Sequence, residues 1–196
     1  MIKKVTKIDA VKRHLDVAIK LFFEDEDPIP IYSISAASHT ILKDLVKHRT
    51  GKKAVFDDWM DLYIKPEKMG YALTLFASKR NFLKHANKDP DKTIEELKPE
   101  LVEMELFFCC ATFFQLGEKL TDRMAIYWSW LMAQQPNLFI VEKMKDDFER
   151  LEQTGLPMMS KEHSKDHCLQ VINSFAKRNY EKPLKSYQIR LPKRHS

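Results

Sequence analysis

Glycine is scarce in this chain, with four among 196 residues. A hairpin-rich β fold needs residues that accept left-handed backbone, so the scarcity counts against one. No stretch of alternating polarity is long enough to seed a sheet, and no repeat of fixed period is visible. Cysteine is equally sparse: three residues, an odd number, with Cys109 and Cys110 adjacent in an apolar run. That pattern excludes a disulfide framework and fits buried, reduced thiols in a cytoplasmic protein. No window approaches the length needed to span a bilayer, and the basic opening MIKKVTKIDAVKRHL leads into no uninterrupted apolar stretch. Neither a signal peptide nor a membrane anchor is readable, and no membrane partner is expected. A glycine-rich phosphate loop, a CxxC pair and a serine in a strand-to-helix elbow are all missing, so no cofactor is assigned.

What is present belongs to a globular chain, with 44% hydrophobic and 31% charged residues. The length suits one domain able to bury a core without disulfides or a structural metal. The net charge of +5 permits nucleic acid as a partner without demanding it. Basic residues crowd EKPLKSYQIRLPKRHS, so the division expected is a helical domain over 1–180 and a basic tail over 181–196.

Nine prolines fall mostly between runs of helical periodicity. Ile8, Val11, Leu15, Ala18, Ile19, Phe22 and Phe23 predict a first helix over Ile8 to Phe23, ending in the acidic run Glu24, Asp25, Glu26 and Asp27. Those carboxylates meet the negative end of the helix dipole, which favours a solvated loop over a cation site. A second helix follows Pro30 and stops at Gly51. Its middle, SAASHTIL, is small enough to admit a close neighbour, with His39 on a flank as a packed or half-exposed histidine.

A short helix over VFDDWMDLYI comes next, then one opened by Pro66. Thr93 and Glu96 form a capping-box pattern, although Pro99 marks the start of the long helix proper. ELVEMELFFCCATFFQLG is apolar almost all round from Leu106 to Phe114, which places it centrally. Thr121 caps a helix carrying Tyr127, Trp128 and Trp130. Another is expected from Asn137 or Leu138, with Val141, Met144, Phe148 and Leu151 buried. Ser160 caps the last, through Phe175. The architecture predicted is an all-α, single-domain bundle of seven or eight helices.

Candidate chemistry concentrates in ASKRNFLKHANKDPDKT, residues 77–93. On a regular helix Met69, Ala72, Leu73, Phe76, Arg80 and Leu83 share a face, which sets Arg80 inside an apolar arc. A guanidinium there must snorkel outward or meet a carboxylate, phosphate or carbonyl, because burial without a partner costs several kcal/mol. Thr74, Ser78, Asn81 and His85 form a neutral polar strip unlike the lysine- and glutamate-rich solvent faces elsewhere, as an interface or a site wall would. Arg80 and His85 point about 140° apart on a regular helix. They converge only through a bend, a helix end at His85, or a second copy of the chain.

Arg80-Asn81 followed by His85 resembles the signature of the HEPN superfamily, helical bundles in which an arginine, commonly followed by a polar residue, precedes a histidine by four to six intervening positions. NFLKHANKDPD with SAASHTILKDL also resembles a group of bacterial all-helical proteins that implies no activity. The HEPN resemblance implies metal-independent RNA cleavage by a homodimer. A neutral His85 would take the proton of a ribose 2′-hydroxyl, Arg80 would hold charge growing on the phosphoryl oxygens, and Asn81 would orient His85 or the phosphate. The alternative is a non-catalytic helical module that binds an unidentified protein. His163 and His167 in KEHSKDHC are spaced to share a metal. No third ligand is identifiable, Asp166 and Cys168 being expected to diverge from the pair, and no metal is assigned.

Overall fold

The computed structural model describes residues 4–63, 65–85, 90–139 and 144–177. The expected tail over 181–196, the domain boundary at 180, Asp89 and Val141 lie outside these residues. Among them the secondary structure is helical throughout: α1 Lys7–Phe23, α2 Pro28–Thr50, α3 Val55–Tyr63, α4 Pro66–Phe82, α5 Pro99–Gln115, α6 Asp122–Gln134, α7 Lys145–Glu152 and α8 Lys161–Lys177. Short 3-10 turns at Pro136–Leu138 and Leu156–Met158 complete it. The all-α prediction therefore holds, and none of these helices is long and apolar enough to cross a membrane.

The boundaries follow from local chemistry. α1 begins at Lys7 because Thr6 and Asp9 cap each other: Asp9 N donates to Thr6 Oγ1 at 3.1 Å and Thr6 N donates to Asp9 Oδ2 at 3.0 Å. α2 starts two residues before Pro30, at Pro28, because Asp27 caps it by accepting from Ile29 N at 2.7 Å. It stops at Gly51, whose φ of 67° is left-handed and whose N–H returns to Lys47 O. Pro66 and Pro99 open α4 and α5, each supplying a preset φ where the N–H would be unpaired anyway. Thr93 and Glu96 start no helix, and the segment before Pro99 is irregular.

Ser160 caps α8 as expected, accepting from His163 N at 3.3 Å. One expected helix is displaced. Instead of beginning at Asn137 or Leu138, the chain makes a 3-10 turn there, and extended backbone at Phe139 stops its propagation. Among the described residues regular helix resumes at Lys145.

The helices gather into two compact units. The first comprises the N-terminal residues up to Ala18 together with Asp27–Lys119. Its broadest packing is α2 on α5, where Ser35, Ala36 and Ser38 are buried and allow the close approach anticipated from SAASHTIL. Phe56, Met60 and Phe108 form an adjoining core against which Phe76, Trp59 and Val55 pack.

The second unit comprises Ile19–Glu26 and the chain from Leu120 onward. At its centre Trp130 stands edge-on to Phe22 and Phe23, with centroids 5.1 and 5.9 Å away, and its Nε1–H donates to Ser164 Oγ at 2.9 Å. The aromatic runs FFCCATFF and YWSWLM are core, as their spacing predicts. The acidic run after α1 has two structural uses: Asp27 caps α2, and Asp25 pairs with Lys165 of α8.

Candidate functional site

Arg80 lies in the last full turn of α4, on the face that also carries Phe76. Its guanidinium stacks over the Phe56 ring, 5.5 Å from the centroid. The required buried partner is Glu105 of α5: Arg80 Nη2 donates to Glu105 Oε2 at 2.8 Å, the carboxylate being wholly buried and the arginine side chain 17% exposed. The same Nη2 lies 3.0 Å from His39 Nδ1 of α2. His39 is buried rather than half-exposed, its ring edge-on to Phe56 at 5.2 Å.

Three helices thus meet at one charged cluster. His39 Nδ1 is also 3.1 Å from Glu105 Oε1. Arg80 Nε, His39 Nε2 and the Tyr32 hydroxyl are buried without a hydrogen bond among the described residues. Burial pushes the Glu105 carboxyl upward, yet His39 and Arg80 outweigh it and hold the group below its ordinary value. Burial, and after it the Glu105 charge, pushes the Tyr32 hydroxyl up to about 12.

His39, Glu105 and Cys109 present donor atoms within 4.8 Å of one another, the kind of grouping that can hold a metal. Here the cation is already present as Arg80. Burial also raises the Cys109 thiol well above its usual range, and it donates to Ser35 O at 3.3 Å. A metal would have to displace the guanidinium and strip that proton, so the cluster is better described as an ion pair with an attendant histidine.

Asn81 and His85 are placed differently. Regular helix ends at Phe82, and the His85 N–H makes a last backbone bond to Asn81 O at 3.0 Å. Both side chains are exposed, as is Thr74 of the same strip, whereas Ser78 is half-buried. No hydrogen bond or ion pair joins Arg80 to His85 among the described residues; what α4 brings together is Arg80 with Glu105 and His39.

The missed member is Glu105. Val102, Phe108, Cys109 and Thr112, at helical spacing about it, are all buried, so a carboxylate on the inner stripe of α5 was the available signal.

A second grouping lies in the other unit. His163 and His167 of α8 line an open pocket of about 470 Å³ with Asp166, Gln170, Ser160, Met158 and Met159. Asp166 lines the same pocket, three residues from His163, but as the neighbour of His167 it stands about 100° round the helix from that imidazole.

The chain matches no protein-family model, no curated protein and no solved structure.

Proposed function

We propose that this chain is a HEPN-like helical protein that binds RNA and cleaves it without metal, acting as a homodimer. The observation that carries the reading is the end of α4 at the motif: regular helix stops at Phe82, so Asn81 and His85 stand exposed immediately beyond a fixed Arg80. A helix end at His85 is one of the conditions under which the two side chains escape the divergence of a regular helix. Glu105 and His39 give Arg80 a set orientation, as a phosphate-binding guanidinium requires.

In this reading neutral His85 removes the 2′-hydroxyl proton, O2′ attacks the adjacent phosphorus, and the P–O5′ bond breaks. The leaving oxygen takes a proton from water, giving a 2′,3′-cyclic phosphate and a 5′-hydroxyl. Arg80 stabilises the phosphoryl charge and Asn81 orients His85 or the phosphate.

A second reading is a non-catalytic protein-interaction module. It is favoured by the Arg80 charge being already answered by Glu105, so that Arg80 holds α4 to α2 and α5 and the strip of Thr74, Asn81 and His85 is a docking face.

The two separate in one assay, RNA incubated with purified protein in EDTA. Under the nuclease reading His85→Ala lowers cleavage by at least about 100-fold with the fold intact. Under the module reading wild type and His85→Ala are alike, and Asn81→Ala changes self-association instead.

A further inference from the structure

The chain leaving α2 reads KHRTGKK, residues 47–53, and is exposed throughout. Lys47, Arg49, Lys52 and Lys53 give it a formal charge of +4, against +5 for the whole chain, and no acidic residue occurs between Asp44 and Asp57. Cations at a helix C-terminus complement the helix dipole, but that dipole offers only about half an elementary negative charge, felt within its last turn. Lys52 and Lys53 lie past it, beyond Gly51.

The side chains divide into two sets. Arg49 Nη1 is 3.3 Å from Glu118 Oε1, and Lys12 Nζ of α1 is 3.8 Å from Oε2 of the same carboxylate, so one acid answers two bases and Lys12 joins the surface. Lys53 pairs with Asp61 of α3. Lys47, His48 and Lys52 form no side-chain hydrogen bond or ion pair among the described residues. Positive charge is left in excess here.

The backbone beneath these side chains is fixed. Gly51 N–H donates to Lys47 O, while Thr50 Oγ1 donates to Val46 O at 2.8 Å and accepts from Lys52 N at 3.2 Å. Gln115 of α5 holds the turn that follows, donating to Lys53 O at 2.9 Å and accepting from Val55 N at 3.1 Å. A frame set in advance lowers the ordering cost of meeting a polyanion with several cations at once.

We infer that Lys47, His48 and Lys52, with Arg49 and Lys12 beside them, bind the phosphate backbone of single-stranded RNA; the inference rests on the RNA reading, which supplies the occupant. The run from 47 to 53 has no apolar side chain, and the exposed large hydrophobics of this unit, Val5, Val17 and Ile29, lie outside it. A surface built to dock on lipid would include such residues. The run also has no aromatic ring to stack on bases, so its contacts are to phosphates, which set affinity and register without reading sequence.

The test is fluorescence anisotropy of full-length protein with a labelled, fully 2′-O-methylated RNA of about 20 nucleotides, in EDTA, over about 50 to 200 mM salt. Blocking the 2′ position separates binding from cleavage. Lys47→Ala with Lys52→Ala should weaken binding at least about tenfold at about 0.1 M salt and make the log–log salt slope shallower by about 1.4, each lost phosphate contact removing about 0.7. The charge-matched pair Lys98→Ala with Lys145→Ala, at exposed lysines outside the run, should keep the wild-type slope. Circular dichroism verifies that both variants are folded. An unchanged slope in the first variant, or equal loss in both, overturns the inference and leaves the nuclease reading to its own assay. Tighter binding of wild type to anionic phospholipid vesicles than to the RNA overturns it too. So does absence of RNA binding by wild type, and the nuclease reading falls with it only if native RNA is also left uncut.

Discussion

The Arg80 guanidinium and the Glu105 carboxylate meet at 2.8 Å across α4 and α5, the acid wholly buried and the base nearly so. Whatever α4 does at its exposed end depends on this pair, because it fixes the turn that carries Asn81 and His85.

Breaking the pair from one side leaves a charge stranded. Glu105→Gln should lower unfolding free energy by about 3 kcal/mol, measured by urea denaturation. Replacing both partners, Arg80→Met with Glu105→Leu, should cost clearly less than the two single changes added together, since neither charge is then stranded. Simple additivity would mean that the two residues do not work as a unit.

Acid should weaken this cluster. The folded-state value of Glu105 lies below the ordinary 4.5, so its contribution to stability is fully present above 4.5 and is lost as pH falls through the lowered value. Stability measured against pH should decline below about 4.5 in wild type. In Glu105→Gln that limb should be shallower, and an unchanged slope would assign acid sensitivity to other carboxylates.

All three thiols are buried, and burial raises each of them, Cys168 to about 12. Native protein at neutral pH should therefore show no rapid reaction with a thiol-specific disulfide reagent, and three equivalents should react in denaturant. A fast-reacting native thiol would mean that one of these helices opens readily.

Most of this fold was legible from apolar spacing and from proline, glycine and cap residues. Gly51, Pro66, Pro99, Thr121 and Ser160 all bound helices where their chemistry places them. The failure after Pro136 has a physical cause: a 3-10 turn has the same start signal as a helix, and the local signal does not decide whether it propagates.

The site was half legible. The need of Arg80 for a buried partner could be derived from its place among Met69, Phe76 and Leu83 in the sequence, but its identity could not. Glu105 and His39 come from helices distant in the chain, and periodicity describes one helix at a time. The acidic run is largely exposed, as expected of a solvated loop, but its tertiary uses were hidden for a similar reason. Asp25 and Asp27 lie two residues apart yet serve a Lys165 pair and an α2 cap, respectively.

The cap can be tested on its own. Asp27→Ala should lose about 1 kcal/mol by leaving Ile29 N without its acceptor, and Asp27→Asn should retain most of it. Equal loss in both variants would point to charge rather than hydrogen bonding as the useful property.

The central claim is that the end of α4 cleaves RNA through its own 2′-hydroxyl, and product end-group analysis is the most direct test. RNA treated with wild-type protein in EDTA should yield fragments ending in 2′,3′-cyclic phosphate and beginning with 5′-hydroxyl, and an otherwise identical substrate with 2′-deoxy at the cut position should resist. Fragments with 5′-phosphate ends, cutting of the deoxy substrate, or the same products at the same rate from His85→Ala would contradict it.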